Sequence, residues 1–146
     1  MSTDSIVEWN GDALKELTEL AARRAMDRVM TDCVVIAKEL APRKSAALQG
    51  SIQMRPTVRQ GRALVGYWGS FGINYAIYQE LGTGIHGGGG MYEIRPRRRK
   101  ALFWEGATHP VKVVHHPGVR PRPFLRPAAD TVYPALSTYI REEMES

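Results

Sequence analysis

The stretch HHPGVRPRPFLRPA, from His115 to Ala128, holds four prolines, three arginines and two histidines within fourteen residues. These prolines exclude a regular strand or helix over its length, because proline lacks a backbone donor and fixes φ at about −65°. Phe124 and Leu125 nevertheless stand in its middle, where a solvated linker has no use for apolar side chains. We predict that this proline arm, residues 115–127, is ordered and leads into the last helix. Phe124 then occupies an apolar pocket, either in its own chain or in a neighbouring copy.

Around the arm, the hydrophobic pattern predicts one α+β domain of 146 residues. A long N-terminal helix, which Asn10 or Asp12 can cap and Pro42 ends, packs on a mostly antiparallel sheet, or in part against another subunit. A short helix at Asn74–Gly82 interrupts the sheet, and a closing helix runs from about Ala128 to Met144, with Pro134 near its first turns or at a kink. The apolar stripe of the first helix recurs at steps of three or four and comprises Leu14, Leu17, Ala21, Ala25, Val29, Cys33, Ile36 and Leu40.

Five runs of β-prone residues predict the strands: SIQMRPTV, ALVGYWG, MYEIRP, ALFWEG and HPVKVVHH. Residues 82–91 include four consecutive glycines and predict a flexible loop. Residues 1–10 are predicted to form an N-terminal tail without the features of a signal peptide. No run approaches the ~18 apolar residues that a membrane span needs, so we expect no membrane partner.

The charge is unevenly distributed along the chain, although the formal net charge is only +5. Residues 55–126 hold twelve basic and three acidic side chains, whereas the rest holds eight basic and twelve acidic ones. A basic middle can face nucleic acid or an acidic protein partner. The split also suits head-to-tail self-association, in which two different surfaces of neighbouring copies meet.

Patterns typical of enzymes are weak in this sequence. Gly82–Gly87 spells GxGxxG but follows a predicted helix, whereas the dinucleotide fingerprint follows a strand. The four histidines lack the spacing of a zinc site, and the lone Cys33 fits a core position. Glu80 is a lone carboxylate that could tie down the glycine loop or pair with an arginine. We therefore expect no enzyme, no cofactor and no bound metal.

A cluster of cations forms a candidate basic patch, which comprises Arg95, Arg97, Arg98, Arg99 and Lys100. Arginine pairs well with phosphate, and Tyr92, Phe103 and Trp104 flank the patch as aromatic residues do in some single-strand binders. Phe103 and Trp104 are adjacent, so we expect one to face the core and the other an interface or solvent. A basic nucleic-acid-binding module is therefore the alternative function.

Four segments, taken in order, resemble one family. They are AKELAPRKSAALQGSI (residues 37–52), YAIYQELGTG (75–84), KALFW (100–104) and HPGVRPRPFLRPA (116–128). As a set they resemble tail-component, neck or tail-completion proteins of the head–tail junction in tailed bacteriophages of the lambdoid siphophage type. The resemblance covers roughly residues 10–140.

This resemblance implies a non-enzymatic virion protein that assembles in the host cytoplasm. It would form a ring, with a hexamer as the expected form, that completes (terminates) the tail or joins it to the head. Its partners would be itself, other neck or tail proteins and the genomic DNA that passes through the lumen. The basic patch would face this DNA channel or an acidic partner. The candidate residues for contact between copies or with partners are Tyr75, Tyr78, Glu80, Gly82, Thr83, Phe124 and Leu125.

Overall fold

The computed structural model describes residues 10–42 and 46–146. The predicted N-terminal tail lies, apart from Asn10, outside these described residues. The described chain is α+β, with a long N-terminal helix, antiparallel strands and a closing helical segment, which confirms the predicted class. In chain order the elements are α1 (Gly11–Leu40), α2 (Ala46–Ser51), β1 (Ile52–Gln60), β2 (Ala63–Ser70), α3 (Ala76–Leu81), a 3₁₀ turn (Gly84–Gly87), β3 (Tyr92–Ile94), β4 (Val114–His116), α4 (Leu125–Val132), a second 3₁₀ turn (Tyr133–Ala135) and α5 (Leu136–Glu145).

Helix α1 is the axis on which most other elements pack. The Asn10 side chain caps it by accepting a hydrogen bond from the N–H of Ala13 at 3.1 Å. The helix ends at Leu40, because Ala41 takes an extended conformation before Pro42. Its thirty residues extend for about 45 Å at ~1.5 Å per residue. Both predicted boundary signals of this helix are confirmed.

Strands β1 and β2 form an antiparallel hairpin that packs against α1. Their register shifts between Arg55 and Val58, where Pro56 has no N–H to give to the ladder. The neighbouring N–H of Thr57 donates instead to Oδ1 of Asp27 on α1, at 2.7 Å. The irregular position in the strand therefore forms a hydrogen bond that joins the hairpin to the helix.

Strands β3 and β4 form a second two-stranded antiparallel sheet, so the predicted strands do not join into one sheet. The predicted strand at ALFWEG is wrong, and most of the predicted strand at HPVKVVHH does not form. Only an isolated pairing of Leu102 with Val111 precedes β4. Gly106, at φ +89°, and Pro110 separate these two residues, and neither suits a regular ladder.

The core lies between the second half of α1, α2, β1 and the start of α4. Phe124 is 0% exposed and is the largest fully buried side chain among the described residues. It clusters with Ala37 and Ala41 at the end of α1, where small side chains leave room for its ring. Leu48, Ile52, Ala76 and Ala128 complete the cluster. The pocket of Phe124 therefore belongs to its own chain.

The closing segment begins earlier than the predicted Ala128 and is interrupted at Pro134, where a kink is one of the two predicted possibilities. Helix α4 already begins at Leu125, and a 3₁₀ turn that contains Pro134 separates it from α5. Proline at this position removes a hydrogen bond that a continuous helix would need. Helix α5 returns along α1, where the hydroxyl of Tyr139 donates to Asp32 at 2.8 Å. This hydrogen bond raises the pKa of Tyr139.

Candidate functional site

The proline arm and the segment from α3 through the 3₁₀ turn (residues 75–87) are hydrogen-bonded to each other. Thr83 donates its N–H to the carbonyl of Val119 and accepts the N–H of Val119 at Oγ1, both at 2.9 Å. The N–H of Arg122 donates to the carbonyl of Gln79 at 2.6 Å. We call this pair of segments the clasp.

Glu80, which lies in the 75–87 segment of the clasp, caps helix α4 at the end of the proline arm. Its Oε2 accepts the N–H groups of Phe124 at 2.8 Å and Leu125 at 3.0 Å, and its Oε1 accepts the N–H of Arg126 at 2.9 Å. The first N–H groups of a helix lack partners within the helix, and the helix dipole favours a negative charge there. Within the described part of the chain Glu80 forms no ion pair with an arginine. The Glu80 carboxylate therefore binds the proline arm rather than the glycine loop.

Two glycines let the backbones of the clasp approach closely. A Cβ on Gly118, at φ +101°, would lie 1.9 Å from the carbonyl oxygen of Thr83. A Cβ on Gly84, at φ +61°, would lie 2.2 Å from the carbonyl oxygen of Pro117. No side chain fits at such distances, so this part of the GxGxxG pattern serves contact between two stretches of chain. The Gly84–Gly87 part of the predicted flexible loop forms a turn of 3₁₀ helix here.

The structure separates the predicted contact residues into exposed and internal ones. Tyr75 directly precedes α3 and Tyr78 lies on it, and both side chains are exposed, where another protein can reach them. Gly82 is buried at the end of α3. Leu125 is half-buried against the core, and Phe124 is internal. Phe124 therefore cannot act as an anchor for a neighbouring copy, because its ring is already enclosed by its own chain.

The basic patch belongs to residues 92–116, which we call the hairpin lobe. Arg95 pairs with Glu93 through its Nε at 3.1 Å and its Nη2 at 2.8 Å. These hydrogen bonds lower the pKa of the Glu93 carboxyl. The remaining cations of the patch, Arg97 to Lys100, are exposed and form no ion pair with residues 10–42 or 46–146. The lobe thus presents an uncompensated positive charge.

Apolar side chains of the lobe surround a groove of about 480 Å³. The lining residues are Ile94, Leu102, Phe103, Trp104, Val114 and His116. Phe103 is 68% exposed and Trp104 50%, so the expectation that one of them faces the core is wrong. That expectation assumed the alternating faces of a strand, and no regular strand forms at these residues.

The first turns of α1 and the end of α5 form a second exposed surface, which we call the acidic end. A groove of about 240 Å³ separates the first turns of α1 from the end of α5. Leu17 is 65% exposed and Met144 56% exposed beside it. The carboxylates of Glu16, Glu143 and Glu145 form no ion pair within the described ranges. Sequence periodicity placed Leu17 on the apolar stripe but left open whether this part of the helix packs on its own sheet or on another subunit.

Residues 10–42 and 46–146 contain no group of three or more His, Cys, Asp or Glu that could hold a metal ion. No helix in this part of the chain is long and apolar enough to cross a membrane. Compared with models of protein families, with curated proteins and with solved structures, the chain showed no match.

Proposed function

We propose that the chain is a structural, non-enzymatic subunit of the neck or tail of a tailed bacteriophage. Several copies assemble into a ring, with a hexamer as the expected form, that completes the tail or joins it to the head. The ring lies in the virion, beside other neck or tail proteins, and is assembled in the host cytoplasm.

The clasp is the observation that supports this function best. The two most distinctive segments of the family resemblance are residues 75–84 and 116–128, and they are far apart in sequence. In the fold they meet, and Glu80, Thr83 and Gly118 each contact the opposite segment. The contact between the two segments supports the proposal that they form one structural unit.

The clasp also gives the chain a geometry suited to assembly. The hairpin lobe begins and ends at the clasp, because residues 75–87 lead into it and residues 115–127 lead out of it. The hydrogen bonds of Thr83 with Val119 close the base of the lobe. A ring closes only when each subunit presents its contact surfaces at a fixed angle. A closed base holds the lobe at such an angle.

Removal of the gene from the phage or prophage that encodes the chain tests this function. We expect separated heads and tails, or tails of abnormal length, in electron micrographs of the resulting lysate. Addition of the purified chain should restore joined particles, and mass spectrometry should then find the chain in purified virions. Normal virions in the absence of the chain would contradict the proposal.

Nucleic-acid binding is a second candidate, favoured by the exposed cations from Arg97 to Lys100. DNA affinity should then fall steeply with salt, because binding releases counterions from the phosphates. Changing Arg97, Arg98 and Arg99 together to alanine should abolish the binding. Equal affinity for DNA and for an unrelated polyanion would contradict a dedicated nucleic-acid site.

A further inference from the structure

We infer that the hairpin lobe of one copy docks on the acidic end of the next copy. This inference rests on the proposed ring-forming function and specifies which two surfaces form the seam. The occupant of the lobe's apolar groove is thus a second copy of this chain.

The lobe has the properties of a surface that is completed by a partner. Strands β3 and β4 have three residues each, and an isolated two-stranded sheet is marginally stable in water. Phe103 and Trp104 lie exposed beside the groove, and contiguous exposed apolar side chains of this kind mark interaction sites. The lobe also carries six basic and two acidic side chains. A fitting partner is therefore apolar at its centre and negatively charged around it.

The acidic end has this complementary character. Leu17 and Met144 supply exposed apolar surface next to the groove between α1 and α5. Glu16, Glu143 and Glu145 supply carboxylates that have no ion-pair partner among the described residues. Arg24 and Glu143 both line the groove and offset each other in charge, so the excess negative charge at this end comes from Glu16 and Glu145. Aromatic anchors within a charged rim are typical of protein interfaces.

The base of the lobe and the acidic groove lie at opposite ends of α1. The clasp, from which the lobe emerges, places Phe124 against Ala37 and Ala41 at the end of this helix. The acidic groove is lined by Leu17 and Leu20 in its first turns. When two copies meet through two different surfaces, the pair still has one free lobe and one free acidic end. Further copies then add until the ring closes.

A second copy satisfies the lobe better than DNA does. The phosphates of duplex DNA would pair with Arg97, Arg98 and Arg99, but its bases stay stacked inside the duplex and would leave the groove between Ile94 and Val114 uncovered. The acidic end covers the groove with apolar side chains and places carboxylates near the arginines.

Two variants test the seam, and we call them half-blocked because each disrupts one of the two contact surfaces. The lobe variant carries Phe103→Ser and Trp104→Ser, and the end variant carries Leu17→Ser and Met144→Ser. Each alone should associate with itself at least about a hundredfold more weakly than the wild type, because each loses interface anchors. An equimolar mixture should form a heterodimer and stop there, because each partner retains only one working surface. Analytical ultracentrifugation of the full chain measures all three samples.

Matched controls separate the seam from a general loss of apolar surface. Val35→Ser changes an exposed residue of α1, about 27 Å from Leu17 along the helix. Val58→Ser changes an exposed residue of the other hairpin. Both controls should assemble like the wild type. All variants should melt within about 2 °C of it, since exposed side chains contribute little to stability.

Each other outcome overturns the inference. If either half-blocked variant associates with itself as strongly as the wild type, the proposed contact is wrong, but the ring-forming function is not contradicted. A mixture that stays monomeric excludes the head-to-tail contact. A wild-type chain that stays monomeric at about 1 mM also excludes it, and the gene-removal experiment then decides the function separately. Loss of DNA binding without any change in assembly, on changing Arg97, Arg98 and Arg99 to alanine, assigns these cations to DNA.

Discussion

Replacing Glu80 by alanine should release the start of α4 from the clasp. The Glu80 carboxylate accepts hydrogen bonds from the N–H groups of Phe124, Leu125 and Arg126 at 2.8–3.0 Å. Alanine offers no acceptor in its place. Glu80→Gln keeps one acceptor oxygen and loses both the charge and the second oxygen.

The expected loss follows from the surroundings of the three donors. The bonds to Phe124 and Leu125 are partly buried, whereas Arg126 is exposed and can bond to water instead. A hydrogen bond to a charged group contributes about 1.5–3 kcal/mol, and the lower figure suits sites that water can partly reach. Glu80→Ala should therefore lower the free energy of unfolding by about 3 kcal/mol and Glu80→Gln by about half as much. The melting temperature should fall by about 9 °C and 4–5 °C respectively.

Thermal unfolding followed by circular dichroism measures these shifts, and hydrogen exchange at Phe124 and Leu125 locates them. Glu105→Ala is the matched control, because Glu105 is exposed and its side chain makes no hydrogen bond or ion pair within the described residues. It should melt like the wild type. A Glu80→Ala protein that melts within about 2 °C of the wild type, with unchanged exchange at both amides, would refute the capping argument.

Three further predictions concern the interior. Phe124→Ala should lower the free energy of unfolding in urea by about 3–5 kcal/mol, whereas Phe103→Ala should change it by less than ~0.5 kcal/mol; equal effects would contradict their different burial. Gly118→Ala should lower the melting temperature far more than Gly88→Ala, because both have positive φ but a Cβ at Gly88 meets nothing within 4 Å. Similar shifts would argue against the close approach in the clasp. Burial raises the pKa of Cys33 to about 11, so the thiolate fraction at pH 8 is about a hundredfold lower than for an ordinary thiol. Iodoacetamide should then label Cys33 only as the chain unfolds, and rapid labelling of the folded protein would contradict its burial.

The boundaries of α1 could be predicted because their signals are local. Asn10 caps the first turn, and Pro42 constrains the residue before it. The exposure of Leu17 could not be predicted from the same pattern. Periodicity shows that one face of a helix is apolar, but it does not show how far the elements packed on that face extend. Ala25 is buried on this stripe, while Leu17 lies beside an open groove.

The start of α4 could not be predicted because its cap is distant in sequence. Glu80 stands 44 residues before Phe124, and the residues just before Leu125 include no Ser, Thr, Asp or Asn to signal a helix start. The structure of the lobe could not be predicted either, because it also depends on contacts that are distant in sequence. Phe103 and Trp104 have high strand propensity, but a strand forms only where a partner strand pairs with it, and Leu102 pairs with Val111 alone.

The mass of the purified wild-type chain in solution tests the ring account most directly. Multi-angle light scattering over a range of concentrations, with electron microscopy of the largest species, gives both mass and shape. The account predicts closed rings, with a hexamer of about 98 kDa, six times the 16.3 kDa of one chain. A mass of 16.3 kDa at every concentration up to about 1 mM, together with failure to join purified tails, would contradict it.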